Sequence, residues 1–256
     1  MKLYLQKRVL QKIYKLFKGA LPLLLVWMLK TVYYRLLFYR VNGYWMATKR
    51  DFRFFIPSLE AASLAAIDLF EESYERYFKV KPTDVVVDVG SCLGSFSVYA
   101  SRATGSKGLV VSIEPAPENL FHLKKNLSTL KNVVIIDKCI SNFKGEVTLY
   151  LSPSFRSHSM INCTANALKV PTDTLDNVVS ALGLDRVDFI KINVEGAELE
   201  VLEGANKVLK MAKKVVVEAH HVRDGKPTHL RVKELLKKHG FYVLVTPGEK
   251  VYATKG

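Results

Sequence analysis

The sequence predicts an α/β fold with a mostly parallel sheet covered by helices on both faces. Three observations carry that prediction. Strand-like and helix-like segments alternate from Pro82 to the C-terminus. Val85–Val89 is a β-branched run of the kind a central, doubly covered strand requires. The stretch V-V-V-D-V-G-S-C-L-G, Val85 to Gly94, ends that strand in a glycine turn and opens a helix. That is the first crossover of a doubly wound sheet.

The elements follow in order. Phe52–Ile56 reads as a short strand before Pro57, and Ser58 opens an alanine-rich helical pattern reaching about Phe78. After Val85–Val89, Phe96–Ala103 is helical, Gly108–Ile113 strand, and Pro117–Leu130 a helix with Leu120, Leu123, Leu127 and Leu130 on one face. Val133–Ile136 is a strand, and Glu146–Leu151 alternates like an edge strand. Thr174–Leu182 is helical, Val187–Ile192 strand, Leu199–Met211 helix, Val215–Glu218 strand and Leu230–His239 helix. The last two strands, Phe241–Val245 and Val251–Thr254, flank Pro247-Gly248 with no helix between them. They form a hairpin, so the last strand is antiparallel.

Charge divides the chain. Residues 1–53 hold twelve of the 38 basic residues and one acid, Asp51, so this segment carries most of the net charge of +14. Residues 2–18 read as a basic amphipathic helix, and an apolar run from Leu21 to Leu29 is bracketed by Lys18 and Lys30. A spanning helix needs about 20 apolar residues, so this run is too short. The basic region is too long for a secretory signal, and no small-residue cleavage site follows. Basic side chains with Trp27, Tyr33, Tyr34, Phe38 and Trp45 suit an anionic membrane surface contacted through residues 1–45. The alternatives are a packing extension or an RNA-binding arm. The expected division is a helical extension, 1–56, and a main domain, 57–256. Three cysteines at long spacing, Cys92, Cys139 and Cys163, form no disulfide framework. They point to a reducing, cytoplasmic setting, with the inner face of the cell membrane as the place for peripheral contact.

The ligand site is expected beyond the carboxyl ends of the strands. Gly90 allows a tight turn and close backbone approach, and Gly94 lets the helix pack closely. Asp88, near the end of an apolar strand, needs partners if buried. It can accept from loop N–H groups and attract a cationic ligand group. Glu114 ends the second strand in S-I-E-P, 24 residues beyond Gly90. An acid there suits two ribose hydroxyls. The loop lacks the third glycine of a dinucleotide site, which disfavours a nicotinamide enzyme.

These residues carry a resemblance. D-V-G-S-C-L-G, S-I-E-P-A-P-E-N-L-F-H-L-K-K-N-L, V-P-T-D-T-L-D-N-V and F-I-K-I-N-V-E-G-A-E-L-E-V-L-E-G-A resemble the FkbM family of class I methyltransferases over residues 60 to 256. The resemblance implies a Rossmann-like seven-stranded sheet, S-adenosylmethionine as donor, and transfer to oxygen. It places Asp88, Gly90, Ser91 and Gly94 around the methionine part, Glu114 on the ribose, and the adenine near Cys139 and Ile140. The family pattern K-I-D-V-E-G here reads Lys191-Ile192-Asn193-Val194-Glu195-Gly196. Asn193 keeps the shape but loses the charge. It can orient a hydroxyl, and it cannot be a general base.

A hydroxyl acceptor benefits from a base near neutral pKa. Glu195, His220 and His221 follow strand tips and are the candidates, with Asn193 beside them; Glu218 also follows a tip, and Ser157–Ser159 lie on a polar loop bordering the site. Glu195, Glu218, His220 and His221 could also hold a metal, but their spacing is not diagnostic and none is expected. The expected reaction is methyl transfer to a hydroxyl of a small-molecule, glycan or lipid acceptor. The competing readings are an RNA methyltransferase using the basic arm and a non-catalytic scaffold with the same fold. The apolar run Leu23–Trp27 argues against nucleic acid as the partner.

Overall fold

The computed structural model describes residues 37–41, 44–49, 52–57, 74–154, 157–161 and 163–256. The helix expected over residues 2–18, the apolar run from Leu21, and residues 58–73 of the helix expected to reach about Phe78 lie outside the described residues; residues 74–78 are bends, not helix. Among the described residues, no helix is long and apolar enough to cross a membrane. The chain divides into two compact units, Met1–Phe70 and Glu71–Gly256, so the boundary falls later than the expected one after Ile56.

The first unit contains an antiparallel sheet of β1 (Leu37–Val41), β2 (Tyr44–Lys49) and β3 (Phe52–Ile56). This corrects the expectation of a helical extension over that stretch, while the short strand at Phe52–Ile56 is present. The reason is legible in hindsight. Two-residue gaps separate the strands, one of them Asn42-Gly43, the strongest short-range hairpin signal. In β3, Phe54 and Ile56 are buried and Arg53 is exposed, the alternation of a half-covered strand.

In the second unit the expected sheet is present. Its seven strands are β4 (Val85–Val89), β5 (Leu109–Ile113), β6 (Val133–Ile136), β10 (Val187–Ile192), β11 (Ala212–Glu218), β14 (Tyr242–Val245) and β15 (Lys250–Thr254). Their order is β14-β15-β11-β10-β4-β5-β6. Strands β4, β5, β6, β10 and β11 run parallel, while β15 lies antiparallel between β11 and β14. Chain order reverses between β4 and β10, which puts the ligand crevice at their carboxyl ends.

Both faces of this sheet are covered. Val87, Val89, Ile190 and Ile192 pack with Leu175, Leu199, Leu202 and Leu236 from the helices of one face. Val86, Val110, Phe189 and Val216 pack with Tyr74 and Phe96 on the other. Each such side chain contributes about 1.5–3 kcal/mol when fully buried.

Helices α1 (Ser95–Thr104), α2 (Pro117–Leu127), α3 (Leu175–Ala181) and α6 (Thr228–Lys238) stand where expected, within a few residues at their ends. Pro117 opens α2, where its missing N–H costs nothing. The Thr174 hydroxyl caps α3 by accepting from Asn177 N–H at 3.1 Å.

Two expectations change. The helix expected over Leu199–Met211 is two, α4 (Glu198–Glu203) and α5 (Asn206–Met211). They part at Gly204, whose position leaves no room for a side chain: a Cβ there would lie 2.1 Å from the Ser141 carbonyl oxygen. The strand β8 (Gly145–Tyr150) does not edge the main sheet. It joins β9 (Ala167–Asp173) and β7 (Cys139–Ile140) in a separate three-stranded sheet. The β8–β9 connection, residues 151–166, reaches the candidate site.

Candidate functional site

The site is built on the row Ser112–Asp88–Lys191, cross-strand neighbours on β5, β4 and β10. They share a face with Val86, Val110 and Phe189, but this last row is polar. Asp88 is wholly buried. Its Oδ1 lies 2.9 Å from Lys191 Nζ, and its Oδ2 accepts from the Ser97 hydroxyl of α1 at 2.6 Å. Lys191 Nζ donates to the Gly90 carbonyl at 2.6 Å, tying the glycine turn to β10. The Ser97, Ser112 and Ser91 hydroxyls continue the chain at 2.9 and 2.8 Å, and Ser91 donates to the Asp88 carbonyl at 2.9 Å. Lys191 and Ser97 stand against the Asp88 carboxylate, which braces the loop from below.

The glycines are required for packing as much as for ligand approach. Gly90 has φ +76°, and a Cβ there would stand 1.8 Å from the Asn193 carbonyl oxygen. Gly94 has φ +87° and faces Leu123 of α2, which a Cβ would meet at 2.6 Å. Cys92 between them also has positive φ, +52°, a strained conformation for a side-chain-bearing residue.

Glu114 is buried at the end of β5, as expected of the second-strand acid. It accepts from Cys92 N–H at 2.8 Å, Ala116 N–H at 3.0 Å and Asn119 Nδ2 at 3.2 Å. Burial raises its pKa, against the pull of these bonds and of Lys191. Ionised, a carboxylate offers about four acceptor directions, so three protein donors leave capacity for a further one. Cys139 and Ile140 are buried on β7. Burial pushes the Cys139 thiol up to about 12, with Glu114's charge adding to the effect, so it is an inert wall. Cys92, Cys139 and Cys163 form no disulfide with one another.

The acceptor-side candidates converge. Asn193 N–H donates to the Val89 carbonyl at 3.0 Å, and its buried Oδ1 has no hydrogen-bond partner among the described residues. Two residues on, Glu195 has φ +53°, and its carbonyl accepts from the buried Ser159 hydroxyl at 2.6 Å. Glu195 Oε2 lies 3.8 Å from His221 Nε2. The His220 and His221 rings are 4.2 Å apart and inclined by 32°. His221 is fixed through its carbonyl, which accepts from Thr228 N–H at 2.9 Å and Thr228 Oγ1 at 3.0 Å. Burial, then the neighbouring His220, lower the His221 pKa, keeping its imidazole neutral and able to take a proton. Glu218 is spent elsewhere, paired with Lys250 at 2.7 Å.

Besides Lys191, the sequence does not single out Ser97, Ser112, Glu198 or, within the expected loop, His158. Ser97 and Ser112 look like ordinary helix and strand serines until register places them beside Asp88. Glu198 is wholly buried, accepts from Gly196 N–H at 2.9 Å, and has a carboxyl raised to about 7, chiefly by burial. His158 lines a cleft of about 810 Å³ between the start of α2 and the β8–β9 connection, with Ala116, Glu118, Leu151, Asn166 and Leu168. Its Nδ1 accepts from Ser152 N–H at 3.1 Å, so the neutral ring carries its proton on Nε2.

The profile of the methyltransferase FkbM domain matches residues 88–243. The chain is 29% identical to the AMB antimetabolite synthetase AmbE of Pseudomonas aeruginosa, over 68% of this chain and 10% of AmbE. It is also 29% identical to the hexuronic acid methyltransferase AglP of Haloferax volcanii, over 56% of this chain and 59% of AglP. The chain thus spans a small part of the first relative and under two thirds of the second. A solved FkbM methyltransferase from Methylobacillus flagellatus KT superposes with a TM-score of 0.52 at 19% identity, over 72% of this chain and 46% of that one. At that identity the likeness concerns the fold.

Proposed function

Because the chain belongs to the FkbM methyltransferase family, we propose that it methylates a hydroxyl oxygen of a small-molecule, glycan or lipid acceptor at Glu195, His220 and His221. The methyl donor is S-adenosylmethionine. When bound, it supplies a methyl carbon made electrophilic by its sulfonium.

The residues present fit this donor. Two buried acceptors with unspent capacity, the Glu114 carboxylate and Asn193 Oδ1, belong to the turns at the ends of β5 and β10. Ribose hydroxyls and an ammonium group are the donors that would satisfy them. Glu114 and Asn119 hold the ribose side, and Cys139 and Ile140 offer a dry wall for the base. Lys191 fixes the Gly90 carbonyl, so the loop is set before ligand arrives.

The observation that carries the proposal is the meeting of Glu195 with His221. The Gly90 turn packs on the Asn193 backbone, and Glu195 follows two residues later. A carboxylate and a neutral imidazole thus stand just beyond the cofactor loop. There they can hold an acceptor hydroxyl and take its proton as the methyl group arrives; much of the remaining barrier is lowered by orientation. AglP acts on a hexuronic acid by name, which makes uronic and neutral sugars the first acceptors to try.

The test is methyl transfer to a panel of glycan, lipid and small-molecule alcohols. His221→Asn is expected to lose about 10²–10⁴-fold in kcat with S-adenosylhomocysteine affinity unchanged. A variant retaining full kcat on a productive acceptor would remove His221 from the reaction.

A further inference from the structure

We propose that Glu195, His220 and His221 form a binding site for a divalent transition-metal cation of the zinc type. The proposal rests on the placement of the acceptor at this cluster and names what the cluster holds.

One ligand atom from each residue lies within 4.8 Å of the other two. Two imidazole nitrogens and one carboxylate oxygen are the donor set of three-ligand metal sites that keep a position open. At bond lengths of about 2.0–2.2 Å, tetrahedral ligand atoms stand roughly 3.3–3.6 Å apart. The donors therefore need to close by about 1 Å or less from Glu195 to His221, and by somewhat more at the widest. The His220 ring is exposed and can swing inward.

The arrangement is not what adjacent histidines do by default. Successive side chains of an extended strand point to opposite sides. Here β11 ends at Glu218, and the turn that follows stacks both rings 4.2 Å apart. The backbones at two ligands are anchored from separate elements, Glu195 by Ser159 and His221 by Thr228. Among the described residues, Lys250 pairs with Glu218 at 2.7 Å and Arg223 with Glu200 at 2.7 Å. A cation here leaves positions for solvent or an acceptor hydroxyl, which it would acidify.

The test is calorimetric titration of the untagged, chelator-treated chain with ZnCl2 and with MnCl2, each followed by S-adenosylhomocysteine. The expected result is uptake of one cation per chain, weakened about tenfold or more in both His220→Ala and Glu195→Gln, with S-adenosylhomocysteine binding unchanged. No saturable uptake by a wild-type chain that binds S-adenosylhomocysteine overturns the metal site and leaves the methyltransferase reading standing. Equal uptake by His220→Ala also overturns it, because the cation then sits elsewhere, for example at exposed Cys163. A wild-type chain that fails to bind S-adenosylhomocysteine overturns the underlying reading, whatever the cation does.

Discussion

Lys191→Met is expected to destabilise the protein by about 3–5 kcal/mol, because it strands a buried carboxylate. Asp88 has no solvent exposure, and its Oδ1 sits 2.9 Å from Lys191 Nζ. Without the ammonium, only the Ser97 hydroxyl faces the charge. The Gly90 carbonyl also loses its donor, which loosens the turn that receives the cofactor. The double variant Asp88→Asn with Lys191→Met removes both charges and should regain much of the loss, since a buried ion pair is costly to break and cheap to replace whole. Urea unfolding at pH 7.5 reads all three. A Lys191→Met protein within about 1 kcal/mol of wild type would mean that the pair does not hold the sheet's upper row.

Glu198→Gln is expected to stabilise the protein above neutral pH and to change little near pH 4.5. The Glu198 carboxyl is raised from 4.5 to about 7, first by burial and further by the charge of Glu195, against hydrogen bonds from the Gly196 turn. The sign follows from proton binding. Between pH 4.5 and 7 the unfolded chain has released this proton and the folded chain retains it, so stability falls as pH rises. Above about 7 the folded state carries a buried charge and the loss is complete. A shift of this size corresponds to roughly 3 kcal/mol. Glutamine keeps an acceptor for Gly196 N–H and does not ionise. Unfolding of both proteins from pH 4.5 to 8 should show a gap that opens across this window and then levels. A gap that stays flat would show that Glu198 titrates normally.

The contrast between these two residues shows what a sequence makes legible. The order of strands and helices was readable because apolar period and glycine turns are local signals. The same holds for Gly90, Gly94 and Glu114, which mark strand ends. Glu195, His220 and His221 are legible as residues beyond strand tips for the same reason, and the structure brings Glu195 and His221 within 3.8 Å. The Asp88–Lys191 pair is not readable, because it depends on the register between β4 and β10, which are 102 residues apart at their starts. Glu198 looked like an ordinary first-turn helix acid. Only the packing of α4 shows it to be wholly buried. The sheet over residues 37–56 is hard to read because its aromatics suit a membrane surface as well as alternating strands. The alternation of Glu146–Leu151 is legible, but its partners Cys139–Ile140 and Ala167–Asp173 are not, so only the structure places it in a separate sheet.

The most direct test of the central claim is calorimetric titration of the wild-type chain and Glu114→Ala with S-adenosylhomocysteine. Glu114 is the buried acid held by Cys92 and Ala116 N–H at the end of β5. The account predicts saturable binding by the wild type and a loss of about 1.5–3 kcal/mol, tenfold or more, in the variant. Binding of equal strength by both would displace the ribose contact from Glu114, and a folded wild type that does not bind would contradict the account.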